Sequence, residues 1–390
     1  MRALQLHSFH RGSKRRLGLT ITAKRALLSA AAFALAMASS DAARAAAPSA
    51  SIPIIPITAS TVPQSPVPRD TNPYGVAFVP TSPAWKKAGA AANPGDVLVS
   101  NFNDSSNEMG QGSTIVDISP TGATTTFFAS AVGGITGLDN GLVALANGFV
   151  LVSFVPVTYS PTTQVGQGGI AIINPDGSLN GFVADPTLLN EPWSMTVGDE
   201  SNTKVTLFVS NLGGGGSVTR VELAFTKSGV TLNKGKGRVL ATGFISQGTA
   251  SDITHNSFGG PGGLAYNSMT KTLFVASEFD NEIFKIRNAL RTISTVQNPL
   301  VAYADPIHLH NPMGLVLAPN GHLIAANSDL ANVDPEQPSE LVEFTVGGDF
   351  FAQYSVDTNS GGAFGLAVAQ PTAQVKLGAV DDNQNNLTIH

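Results

Sequence analysis

An all-β fold made of six repeated sheets is what this sequence predicts, and three observations carry it. The first is a recurring stretch. It runs Gly263-Leu264-Ala265-Tyr266, a polar turn from Asn267 to Lys271, Leu273-Phe274-Val275-Ala276-Ser277, a second turn at Asp280-Asn281, then Ile283-Phe284-Lys285-Ile286. Its first two runs are almost wholly apolar, as in strands buried on both faces, and the third alternates and so has a wetter face. The second observation is composition: 40 Gly and 24 Pro among 390 residues, only 13% charged residues, and almost no helix-period pattern beyond the N-terminus. Many short strands joined by tight turns have this signature. The third is spacing. The innermost strands of the copies start at Gly75, Gly141, Ser194, Gly263, Gly314 and Gly365, at intervals of 66, 53, 69, 51 and 51 residues. Units of that size with four strands apiece are the blades of a β-propeller.

Residues 1–45 read as a targeting segment. Arg2, Arg11, Lys14, Arg15, Arg16, Lys24 and Arg25 form a basic region, Ala26 to Ala38 an apolar one, and Ala43-Arg44-Ala45 a small-x-small site that predicts a cut after Ala45. The apolar run is short for a membrane span; an uncleaved anchor is the other reading of it. Arg15-Arg16 invites a twin-arginine assignment, but Leu17-Gly18-Leu19 does not continue that motif, and a Sec-type signal is expected. The protein is therefore expected to be exported, to the periplasm or the cell exterior, with no transmembrane anchor after cleavage. The segment holds eight of the 22 basic residues and one of the 27 acidic ones, which leaves 14 basic against 26 acidic residues. That balance argues against nucleic acid as a partner, since phosphate binding needs clustered Lys and Arg. The chain has no cysteine, which excludes disulfides, thiolate metal sites and a cysteine nucleophile.

Residues 46–70 form a Pro-rich segment containing Ile52-Pro53-Ile54-Ile55-Pro56-Ile57. Proline is tolerated only at a sheet edge, so this piece is a linker or an edge strand. Six blades then fill residues 71–390. The first has Val76 to Val79, an insertion carrying Trp85, and Val97 to Asn101. The second has Leu142 to Leu145, an Asn147-Gly148 turn and Phe149 to Phe154. The third has Met195 to Val197 and Val205 to Asn211, and the fourth is the stretch above. The fifth has Leu315 to Leu317, an Asn320-Gly321 turn and Leu323 to Asn327. The sixth has Leu366 to Val368 and Val375 to Val380. Asn-Gly pairs predict two-residue hairpins with positive φ. Gly110-Gln111-Gly112 and Gly166-Gln167-Gly168 precede third strands; they read as entry turns or as a ligand cradle. After Leu387-Thr388-Ile389 nothing remains for a last strand, so the Ile52–Ile57 segment is expected to fill it and close the ring of blades, which leaves no exposed sheet edge.

Asn311-Pro312-Met313-Gly314-Leu315-Val316-Leu317-Ala318-Pro319-Asn320-Gly321-His322-Leu323-Ile324-Ala325-Ala326-Asn327 resembles an NHL-type propeller repeat, and Asn72-Pro73-Tyr74-Gly75-Val76-Ala77-Phe78 and Gly260-Pro261-Gly262-Gly263-Leu264-Ala265 resemble its opening. The resemblance covers residues from about 70 to 390. It specifies a fold that hosts binding proteins and enzymes alike. The chain is also distantly similar to the six-bladed Ca²⁺-dependent lactonases and esterases of the gluconolactonase (senescence marker protein) type. That likeness implies carboxylate and amide ligands where inner strands enter the central channel, which suits a hard cation. The residues just before the six strand starts are Tyr74, Asn140, Trp193, Gly262, Met313 and Phe364. Only Asn140 looks like a family ligand. Glu191, in Glu191-Pro192-Trp193, distantly resembles the family's Glu-Gly-Pro-x-Trp but lacks its Gly. Glu191 and Asn140 are thus the metal candidates the resemblance implies, against ordinary turn roles for both.

A second polar set follows the second strands: Asn101, Asp104, Asn211, Glu278, Asp280, Asn327, Asp329, Asp381 and Asp382. These could bind a cation or polar ligand together, or cap strands. His308 and His310 before the fifth inner strand, and His255 before the fourth, offer an imidazole base or metal ligand, with ordinary loop roles as the alternative. No His-Glu-x-x-His and no Gly-x-Ser-x-Gly accompanies them. Two functions are therefore expected. The first is a binding module with a protein, carbohydrate or small-molecule ligand at the channel mouth and no cofactor; the second is a Ca²⁺-dependent lactonase or esterase.

Overall fold

The computed structural model describes residues 57–390 except 66, 132–133, 160–163, 228, 248–258, 330–331 and 370–375. The targeting segment, residues 51–56 and His255 lie outside the described residues. The described residues form six blades, numbered in chain order, whose four main strands are antiparallel and run from the innermost outward in sequence. Gly229–Leu232 and a short parallel strand, Val296–Gln297, extend blade 3, and Val157–Thr158 pairs with Gln164–Val165 in a separate ribbon. Blade 1 is Thr71–Phe78, Val97–Asn103, Thr114–Ile118 and Thr124–Ala129. Blade 2 is Leu138–Ala144, Val150–Phe154, Gly169–Ile173 and Leu179–Val183. Blade 3 is Pro192–Ser201, Lys204–Asn211, Ser217–Thr226 and Arg238–Thr242. Blade 4 is Pro261–Asn267, Thr272–Ser277, Glu282–Arg287 and Leu300–Tyr303. Blade 5 is Pro312–Leu317, Leu323–Asn327, Glu340–Phe344 and Phe350–Ser355. Blade 6 takes Ala363–Val368, Leu377–Asp381 and Asn386–Ile389 from the C-terminus and its outermost strand, Ile57–Ser60, from the N-terminus.

The ring closes as expected, with Ile57 opposite Ile389 and Ser60 opposite Asn386. The described strand begins where the expected one ended, at Ile57. Ile57-Thr58-Ala59-Ser60 has an N–H at every position and so can donate along the ladder; the rest of the expected closing segment, residues 52–56, lies outside the described residues.

Each inner strand packs on the next, and blade 6 returns to blade 1. The recurring glycines make this possible. A Cβ on Gly365 would stand 1.7 Å from the Tyr74 carbonyl oxygen, one on Gly314 2.1 Å from that of Phe364, and one on Gly263 2.3 Å from the Leu315 nitrogen. Backbone approach this close tolerates no side chain. Three serines then stitch blades together. Ser100, Ser153 and Ser210 each accept the inner-strand N–H of their own blade, from Gly75, Gly141 and Ser194, at 3.0, 3.0 and 3.1 Å. Each also donates to the next blade's inner carbonyl, of Asp139, Trp193 and Gly262, at 2.9, 3.1 and 2.8 Å. The strand register puts Ala276, Ala326 and Val380 at the corresponding places of blades 4 to 6.

The turns differ from expectation in one respect. At Asn147-Gly148 and Asn320-Gly321 only the glycine has positive φ, +100° and +87°. Gly148 N–H bonds Leu145 O and Gly321 N–H bonds Ala318 O, while Leu145 and Ala318 bond the residue after the glycine. This is a type I turn closed by a left-handed glycine, one residue longer than a two-residue hairpin. The insertion of blade 1 folds onto blade 2, where buried Trp85 donates its Nε1 proton to Leu145 O at 2.8 Å. The Gly-Gln-Gly segments link neighbours too: Gly137 N–H bonds Gly112 O and Glu191 N–H bonds Gln167 O.

Deleting residues 51–60 should remove the four-residue closing ladder and expose the Asn386–Ile389 edge. At about 1 kcal/mol per lost hydrogen bond, a loss of roughly 3 kcal/mol and a melting temperature lower by about 4 °C are expected. Aggregation should accompany it. Calorimetry of the truncated and full mature chains checks this; equal melting temperatures would mean the strand contributes nothing to closure.

Candidate functional site

The side chains just ahead of the inner-strand glycines converge on the axis. Tyr74, Trp193, Met313 and Phe364, from blades 1, 3, 5 and 6, are all 3% exposed or less and form one cluster with Phe102 and Leu212. Tyr74 stacks between Phe364 and Phe102, with centroids 4.6 and 4.9 Å away, and Trp193 meets Tyr74 and Phe102 edge-on at 5.5 and 5.6 Å. Such pairs contribute about 1 kcal/mol each beyond the burial of their area. Phe102 and Leu212, one residue beyond the Asn101 and Asn211 of the second polar set, complete the plug.

Glu191 and Asn140 sit at its rim. Glu191 has φ +51°, like Asn72 at +60° and Asn311 at +57°, and all three precede a proline at the entry to an inner strand. Its backbone is bonded to Gln167 O and by Leu212 N–H. A left-handed Glu is uncommon; this one occupies a turn position that Asn fills in blades 1 and 5. Half-buried Asn140 points its Oδ1 toward Gly365, 3.2 Å from where a Cβ there would stand. Glu191 joins no group of three imidazole or carboxylate ligand atoms among the described residues.

Three carboxyls approach the plug from outside. Burial pushes Asp139 well above the carboxylate range, against its hydrogen bond with the Ser153 hydroxyl and the one it accepts from the Gly141 N–H. Burial alone pushes Glu278 up to about 8, and burial, with Asp381 and Asp357 adding repulsion, pushes Asp382 up to about 8. Burial raises the Tyr74 phenol, and Asp382, Glu278 and Asp139 raise it further once they are ionised. Glu278 and Asp382 thus hold their protons near neutral pH.

Beside Asp382 lies a polar cavity of about 330 Å³ between blades 6 and 1, on the face where the inner strands begin. Thr71, Asn72, Ser105, Asn107, Asp382, Asn383 and Asn385 line it. Asn72, Asn107 and Asn385 are all left-handed, and the Asn72 N–H bonds Asn385 Oδ1 at 2.6 Å. Its walls are held by the chain: Thr71 donates to Asp104 O at 3.0 Å and Asn383 to Ser360 O at 3.1 Å.

The two histidines diverge. His308 puts Nδ1 2.6 Å from Asp305 Oδ2 and stacks on Phe350, 3.7 Å between centroids, at the outer strand of blade 5. His310 turns the other way, into the loop that follows the second strand of the same blade, and is buried there near Asp334 and Glu340. Of the second polar set, Asn101, Asn211 and Asn327 are strand caps. Their amides donate to Thr61 O, Thr219 Oγ1 and His308 O at 3.0, 3.3 and 2.8 Å.

No protein-family model and no curated protein sequence matches this chain. Among solved structures, a gluconolactonase from Xanthomonas campestris aligns with a TM-score of 0.52 and 14% identity over 89% of this chain and 98% of its own. The calcium-binding protein regucalcin of Agrobacterium tumefaciens gives 0.49 and 13% over 85% and 92%. A structure of the nidogen/laminin complex gives 0.46 and 12% over 74% and 81%. The chain is a six-bladed propeller similar in fold to those of the gluconolactonase type.

The raised carboxyls give the fold a signed pH dependence. Asp117 near 7, Asp381 near 6, and Glu278 and Asp382 near 8 hold protons that the unfolded chain releases around pH 4. The folded state binds more protons across that window, so stability is highest on its acid side and falls as pH rises through 6 to 8. Melting temperatures measured from pH 5 to 9 should decline, and Glu278→Gln should flatten the decline. A wild-type melting temperature that rises over this range would contradict the assignment.

Proposed function

We propose that this protein is an exported propeller that works as a binding module and takes a small polar ligand in the cavity between blades 6 and 1. One observation carries the reading: the axial positions hold Tyr74, Trp193, Met313 and Phe364, packed against one another and away from water. Ca²⁺ needs six to eight oxygens. Among the six axial positions Asn140 alone offers an amide oxygen, and Glu191 adds one carboxylate. The residues present do not fit that ion on the axis.

The cavity offers amides, hydroxyls and one carboxyl without an aromatic wall. Donors and acceptors so arranged match a polyhydroxylated molecule of monosaccharide size, which the volume also admits. The residues lie on strand ends and tight turns, so their geometry is set before any ligand arrives, which lowers the ordering cost of binding. On this reading the mature protein acts outside the cytoplasm and takes its ligand without a cofactor. The competing reading, a Ca²⁺-dependent lactonase or esterase, draws on the likeness in fold to gluconolactonases and would work through Glu191 and Asn140.

Calorimetric titration of the mature chain with a monosaccharide panel, beside the same titration of Ser105→Trp, tests the site. Ser105 is exposed at the cavity mouth, so the substitution fills the cavity without touching the core. Binding by the wild type and at least a tenfold loss in Ser105→Trp are expected. A lactone and ester screen with melting in chelator and in millimolar Ca²⁺ tests the competing reading. Turnover together with a Ca²⁺-induced rise in melting temperature that disappears in Glu191→Gln would replace the binding module by the lactonase.

A further inference from the structure

We propose that His310, Asp334 and Glu340 form a site for one first-row divalent metal ion, Zn²⁺ or Mn²⁺, at the strand-entry face of blade 5. His310 lies two residues ahead of the inner strand, Asp334 in the loop after the second strand, and Glu340 opens the third. Their ligand atoms all lie within 4.8 Å of one another, with His310 Nε2 3.8 Å from Asp334 Oδ2. A single ion of ordinary radius fits among atoms so spaced after a small inward adjustment.

Two further observations separate this group from a chance cluster of acids. Glu340 is fully buried. Its Oε1 accepts from Asn327 Nδ2 at 2.7 Å, while its Oε2, equally buried, accepts from no N–H, and a second carboxyl, that of Asp329, lies against Glu340. A buried carboxylate oxygen with no donor is costly, and a cation removes the cost. The second observation is the imidazole. His310 Nδ1 is 2.8 Å from Asn332 O, and a carbonyl only accepts, so Nδ1 carries a proton and Nε2 is the ring atom turned to the group. There it meets Ile307 O at 3.2 Å and Asp334 Oδ2 at 3.8 Å, acceptors both. A proton on Nε2 would satisfy one of these contacts and leave Glu340 Oε2 as it is. A divalent ion satisfies the imidazole and both carboxylates at once, with Ile307 O at hand as a fourth ligand.

The surroundings support the assignment. Asp329, fully buried alongside, takes the Asp334 N–H at 3.0 Å and the Ser339 N–H. It therefore positions the backbone that carries two ligands and adds negative charge behind them. The side chains of His310 and Asp334 are 11% and 17% exposed, which leaves an entry route from solvent. One imidazole with two carboxylates suits Zn²⁺ or Mn²⁺ better than Ca²⁺, which prefers oxygens alone and more of them. The site is built from blade 5 and its loops, shares no residue with the polar cavity, and stands or falls independently of the binding reading.

The test uses untagged mature protein stripped with chelator and titrated separately with ZnCl₂, MnCl₂ and CaCl₂. One equivalent of Zn²⁺ or Mn²⁺ should bind, more tightly than Ca²⁺. At a hundredfold excess over Kd the melting temperature should rise by roughly 4 °C. Glu340→Gln keeps the side-chain shape, and Asp334→Asn alters a partly exposed group, so at least one should fold; each should weaken binding tenfold or more. The His310 Nε2 resonance should move on saturation in the wild type only. Failure of Zn²⁺ and Mn²⁺ to bind, affinity unchanged in the folded variants, or preference for Ca²⁺ would each overturn the proposal.

Discussion

The close approach of six inner strands to one axis is the constraint on which this protein depends. Backbone meets backbone where Gly75, Gly263, Gly314 and Gly365 stand, at separations that leave no room for a Cβ. Once the strands are this near, the preceding side chains have nowhere to go but the axis, and Tyr74, Trp193, Met313 and Phe364 fill it. Truncating an aromatic of this kind typically costs about 3–5 kcal/mol. The plug and the serine stitches act together: hydroxyls of Ser100, Ser153 and Ser210 satisfy buried polar groups of two blades at once, so blades 1 to 4 are joined by hydrogen bonds as well as by packing.

A filled axis displaces chemistry to the rim. Asp139, Glu278 and Asp382 border the plug, and burial raises all three; Glu278 and Asp382, pushed up to about 8, contribute little field for a cation there near pH 7. Polar groups with access to water lie farther out, in the loops of the face where inner strands begin. The cavity between blades 6 and 1 gathers amides and hydroxyls, while blade 5 gathers an imidazole and carboxylates. A propeller accommodates both because its loops vary while the strands that hold them stay fixed.

Much of the fold is legible in the sequence because it repeats. Leu264, Leu315 and Leu366 follow glycines at equivalent positions, and the buried strands read as continuous apolar runs. The missing last strand of blade 6 requires a partner from elsewhere, and the N-terminal segment supplies it. The turn at Asn147-Gly148 is legible as a turn but not as to length, since that depends on whether Asn147 also turns left-handed. The candidate sites are less legible. Glu191 reads as a ligand from its neighbours Pro192 and Trp193, yet its place is set by a backbone turn shared with Asn72 and Asn311 that composition does not reveal. The grouping of His310 with Asp334 and Glu340 joins a strand entry to a loop more than 20 residues on. Its one visible sign is the density of acids, Asp329, Asp334, Glu336 and Glu340, directly after a second strand and next to a histidine.

The central claim is that the axis is a closed apolar core. Trp193 reports on it directly once Trp85, the only other tryptophan, is replaced by Phe. Acrylamide quenching of the remaining fluorescence should then be several times weaker than for the unfolded chain, with blue-shifted emission that chelator and Ca²⁺ leave unchanged. Quenching in the native protein as efficient as in denaturant, or emission that moves with Ca²⁺, would contradict the account.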